Sequence, residues 1–67
     1  MKLVPTTIVE HLDKNGTTSF KDLFELVHKR VPEISEQEFN LILMEIEIQG
    51  LIKVYQLPKG KKSIERA

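Results

Sequence analysis

The tightest constraint on this fold sits at Gly50, where the chain changes its period. In "SEQEFNLILMEIEIQGLIKVY", residues 35–55, Phe39, Leu43 and Ile46 recur at helical offsets of four and three. Directly after Gly50 comes "LIKVYQL", rich in the β-branched and aromatic side chains that suit a strand. A chain that passes from helix to strand so abruptly must reverse, and a glycine in the left-handed region allows this without a Cβ penalty. The upstream boundary is equally well marked. Pro32 pushes Val31 out of the α region, Ser35 and Glu38 have capping-box spacing, and Ile34 stands before the cap as a hydrophobic staple. A helix is therefore predicted from Glu36 to Gln49.

Two more helices precede it. Pro5 suits a first turn, Thr7 and Glu10 have the spacing of another capping box, and Val4, Ile8 and Leu12 recur every four residues. Together they predict a first helix over Pro5 to Asp13, closed by "KNG" at 14–16. "TTS" at 17–19 predicts a short edge strand. Ser19 then caps a second helix, whose apolar face is Phe20, Leu23, Phe24, Val27 and Val31, with Asp22 in its first turn. Beyond the third helix, a strand over Leu51 to Leu57, a turn at "PKGK" (58–61) and a shorter returning strand in "KSIERA" are predicted. The expected core is Phe20, Leu23, Phe24, Val27, Ile34, Phe39, Leu43, Ile46 and Leu51, with Ile8 and Leu12 against them.

With 67 residues and no cysteine, one domain must stabilise itself without disulfides or cysteine-held zinc. No apolar run can span a bilayer, and the N-terminus lacks a signal-peptide pattern, so a cytoplasmic protein away from membranes is expected. The net charge of zero hides a segregation. Residues 33–50 carry five acidic groups and no basic one, whereas residues 51–67 carry Lys53, Lys59, Lys61, Lys62 and Arg66 against Glu65. That terminal segment is a candidate phosphate-attracting patch, although such cations are equally common on a solvated hairpin.

The order helix, short strand, helix, helix, hairpin resembles the winged helix-turn-helix family over nearly the whole chain. Phe39, Leu43 and Ile46 followed by "GLI" at 50–52 carry the most specific part of that resemblance. It implies an α+β fold, mostly helical, with three helices and a C-terminal β-hairpin wing over residues 1–67, and "PKGK" as the wing tip. The family serves many partners, so the resemblance specifies fold better than function.

The opposite face of helix three departs from the DNA-reading pattern. At about 100° per residue, Leu41, Met44 and Ile48 fall across from the core residues, with Asn40, Glu45, Glu47 and Gln49 beside them. DNA-reading members of the family typically place basic or hydrogen-bonding side chains there. Here only Asn40 has that chemistry, and phosphates would repel the neighbouring carboxylates. Leu41, Met44, Glu45 and Ile48 are the expected protein interface. The coverings open are the chain's own "MKLV" terminus, the same stripe of a second copy, a different protein, and nucleic acid or lipid. The simplest is the second copy, in a two-fold dimer.

Catalytic chemistry is not legible. His11 and His28 lie on different predicted helices without a companion at metal spacing. Gly16, Gly50 and Gly60 are too dispersed for a phosphate loop, and the glutamates of helix three sit on a convex surface. No catalytic residue, cofactor, metal or small-molecule substrate is expected. The favoured reading is a non-catalytic winged-helix interaction module in transcription or replication, binding protein through helix three. The alternative is a small dimeric DNA-binding transcriptional regulator that touches double-stranded DNA through Asn40, Lys59, Lys61, Lys62 and Arg66.

Overall fold

A computed structural model describes residues 3–67, with side-chain burial given from Val4 onward. Its order is α1 (Leu3–Asn15), β1 (Thr18–Ser19), α2 (Phe20–Arg30), α3 (Glu36–Ile48), β2 (Ile52–Gln56), a short 3₁₀ turn (Pro58–Gly60) and β3 (Lys62–Arg66). Three helices pack with one antiparallel sheet, and the sequence of elements agrees with the expectation.

α1 starts earlier than expected because Val4 shares the stripe of Ile8 and Leu12, and all three are buried. The expected capping box of Thr7 and Glu10 is overturned, since both lie inside the helix. Pro5 remains in the first turn, where its missing N–H breaks no helical bond. At the other end the Gly16 amide donates to the Leu12 carbonyl, and the Asn15 side-chain amide donates to the His11 carbonyl at 3.0 Å.

The caps of α2 and α3 match their sequence signals. Ser19 Oγ accepts from the Asp22 amide at 3.2 Å. The Ser35–Glu38 box is reciprocal, with Ser35 Oγ accepting from the Glu38 amide and Glu38 Oε1 from the Ser35 amide, each at 3.1 Å. Ile34, the staple, is buried. At the far end of α3 the Leu51 amide donates to the Ile46 carbonyl and the Gly50 amide to that of Glu47, with Gly50 at φ +81°. This paired closure is a Schellman motif, and it turns the chain straight into β2.

The hairpin differs from its expected form in one way that matters for the core. β3 is as long as β2 and is the central strand of the order β1-β3-β2, with Thr18 opposite Ile64 and Val54 opposite Ile64 on its other side. Ile64 and Ile52 are fully core residues at 0% and 2% exposure, and neither belongs to the expected set. Phe20, Phe24 and Leu51 are instead only partly buried against that core. Phe39 holds the two other rings at centroid distances of 5.1 and 5.2 Å, so one buried ring anchors two at the margin.

Candidate interaction surface on the third helix

The inner face of α3 is used up by the core: Phe39, Leu43 and Ile46 are buried and Ile42 packs against them. Its outer face is left uncovered by the described residues. Leu41 is 60% exposed, Met44 50% and Ile48 82%. Glu45, Glu47 and Gln49 beside them are exposed as well, and α3 carries no basic residue. Isolated exposed aliphatics are ordinary, but three on one helical line flanked by carboxylates form an apolar seam with an acidic border. Val4 of the expected N-terminal cover is in the core, whereas Met1, Lys2 and the side chain of Leu3 lie outside the described residues.

Asn40 and Lys62, both candidates for nucleic-acid contact, are brought together. Lys62 Nζ donates to Asn40 Oδ1 at 3.5 Å and lies 5.5 Å from the centroid of the Phe20 ring. Both residues are half-buried. The ammonium thus joins the beginnings of α2, α3 and β3, at a crevice also lined by Glu36, Gln37 and Gly60. Arg66 is engaged too. Its Nε donates to Asp13 Oδ1 at 3.0 Å and its Nη1 to the Leu51 carbonyl at 2.6 Å, which ties β3 to the end of α1 and to the α3–β2 junction.

Lys59 and Lys61 are exposed at the hairpin tip. Among the described residues these two candidate cations have no hydrogen-bond or ion-pair partner. Lys59 holds φ +66°, a left-handed conformation unusual for a side chain of its size.

The hairpin carries a second apolar exposure that was not among the expected site residues. Tyr55 and Leu57 are 43% and 44% exposed. Tyr55 alternates with buried Ile52 and half-buried Val54 and so lies on the face of β2 turned away from α3, and Leu57 follows just after the strand. The period-two alternation Ile52, Val54 against Lys53, Tyr55 is the signal that marks this face.

Among the described residues no group of three histidine, aspartate or glutamate side chains is placed to hold a metal ion. His11 Nδ1 lies 3.2 Å from the Asn15 amide, and the His28 ring packs 5.8 Å from that of Phe24. No described helix is long and apolar enough to cross a membrane. Comparison of the chain with protein-family models, with curated proteins and with solved structures returned no match.

Proposed function

We propose that this chain is a non-catalytic winged-helix interaction module of a nucleic-acid process, transcription or replication, and that it binds protein through the outer face of α3. The observation that carries this reading is the exposed seam of Leu41, Met44 and Ile48 between Glu45 and Glu47. The winged-helix assignment rests on the element order and on the tight α3–Gly50–β2 closure. Full burial of an exposed large aliphatic side chain yields roughly 1.5–3 kcal/mol, and because these three are already partly covered the seam contributes about 3–6 kcal/mol before costs. Association costs about 4–15 kcal/mol. The seam therefore supports binding only where its borders also complement the partner.

The alternative, a dimeric DNA-binding regulator, draws on exposed Lys59 and Lys61 at the hairpin tip. It is weakened by the internal engagement of Lys62 and Arg66, which leaves two of four candidate cations free for phosphate. A titration of duplex DNA at two salt concentrations, run beside sedimentation of the chain, separates the two. The module reading expects no saturable binding near physiological salt. Tight, salt-sensitive binding that falls on replacing Lys59 and Lys61 would favour the regulator.

A further inference from the structure

The outer residues of α3 are spaced like a coiled-coil seam. Leu41, Met44 and Ile48 are separated by three and then four residues, the a–d–a step of a heptad, and Gln37 occupies the preceding d position. With Leu41 at a, Glu38 and Glu45 fall at e, and Asn40 and Glu47 at g. Three of the four seam-flanking positions are thus carboxylates. Glu45 and Glu47 form no ion pair among the described residues. Asn40, the one neutral flank, accepts from Lys62 through Oδ1.

This register bears on the occupant. Two copies of α3 packed seam to seam would offer each other's flanks only glutamate and asparagine, with no cation. A parallel pair opposes e to g, and an antiparallel pair opposes e to e and g to g. Within the helix the parallel pair sets Asn40 against Glu45, and the antiparallel pair sets glutamate against glutamate at e, so neither arrangement gains an oppositely charged flank. A helix with apolar a and d residues and lysine or arginine at its own e and g positions would meet the same seam and find an opposite charge at each carboxylate.

We propose that α3 receives a basic amphipathic helix of a protein partner, aligned along Leu41, Met44 and Ile48, in preference to a second copy of this chain. The proposal rests on the reading of α3 as a protein-binding face and specifies the partner's chemistry. Glu38, Glu45 and Glu47 set its charge preference. The exposed apolar residues supply contact area, and the carboxylates supply selectivity.

The test uses the full chain and peptides about three heptads long. One has leucine at a and d with lysine at e and g, the second has glutamate at e and g, and the third scrambles the order of the first. Binding is read by anisotropy, and amide resonance shifts locate it. The lysine peptide is expected to bind roughly tenfold or more tightly than the glutamate peptide, with a gap that narrows as salt rises. Its shifts should centre on Leu41 to Ile48, and the scrambled peptide should lack them. The doubly substituted Glu45→Lys, Glu47→Lys chain, checked for fold by circular dichroism, should reverse the preference. The wild-type comparison decides the matter even if that variant fails to fold.

Equal binding of both heptad peptides at α3 would remove the basic partner while sparing the protein-binding face. Self-association of the wild type through the seam would replace the partner with a second copy. A monomer whose α3 resonances respond to no peptide would overturn both the proposal and the reading beneath it.

Discussion

The Arg66 guanidinium reaches the Asp13 carboxylate at 3.0 Å across 53 positions of sequence, and from the same place donates to the Leu51 carbonyl. The two contacts differ in weight. Asp13 is more than half exposed, so its ion pair is screened and contributes about 0–1 kcal/mol. The bond to Leu51 is partly buried and charge-assisted, although that carbonyl also accepts from the Ala67 amide at 3.1 Å. Arg66→Ala should therefore destabilise the domain by about 1–2 kcal/mol, more than Asp13→Ala. Urea denaturation of both variants checks the ranking, and equal small losses would show that the bond to Leu51 contributes little.

Adjacent positions on α3 should behave in opposite ways. Leu43 is 2% exposed and Met44 50%. Leu43→Ala should cost about 2–5 kcal/mol, enough to unfold much of so small a domain. Met44→Ala should stay within about 0.5 kcal/mol of the wild type. Thermal melts of the pair are sufficient, and similar losses would contradict the division of the helix into inner and outer faces.

The hairpin tip holds strain that can be relieved. Lys59 adopts φ +66°, a region that penalises a side chain by about 1–2 kcal/mol relative to glycine. Glycine also adds freedom to the unfolded chain, which offsets part of the gain. Lys59→Gly should raise stability by about 0.5–1 kcal/mol, read as a higher denaturation midpoint with unchanged slope. A decrease would mean that the lysine side chain makes a compensating interaction.

If duplex DNA is bound at all, the hairpin tip should dominate. Replacing Lys59 and Lys61 with alanine should weaken binding alike across sequences and lower the salt slope by about one unit for each phosphate no longer neutralised. Asn40→Ala should matter less, because the Asn40 side chain already accepts from Lys62. Salt-dependent titrations of the variants test this. Sequence discrimination that vanishes with Asn40→Ala alone would instead point to groove reading by α3.

Local signals carried most of the fold. Ser19, Ser35 with Glu38, Pro32 and Gly50 each act within a few residues, and the structure keeps each in its expected role. Nonlocal pairing was much harder to read. Ile64 stands between Ser63 and Glu65 without a periodic apolar neighbour, and its burial depends on β1 pairing with β3 across the molecule. Thr7 and Glu10 show the converse fault, a capping pattern in helical sequence that tertiary burial of Val4 overrides. The outer stripe of α3 was legible from periodicity alone. The engagement of Lys62 and Arg66 was not, since composition shows charges but not which neighbours the fold supplies.

The most direct test of the α3 face is a titration of the lysine-flanked peptide onto wild type and Met44→Lys, with thermal melts of both proteins. Met44 is at the centre of the seam and half exposed, so the new charge should leave the fold intact. It should also break the interface by desolvating an ammonium among apolar residues and facing it with lysines. Matching melts are expected, together with binding weakened by roughly tenfold or more. Undiminished binding by Met44→Lys would contradict a partner seated on the seam, and a variant that unfolds would show that the stripe belongs to the core.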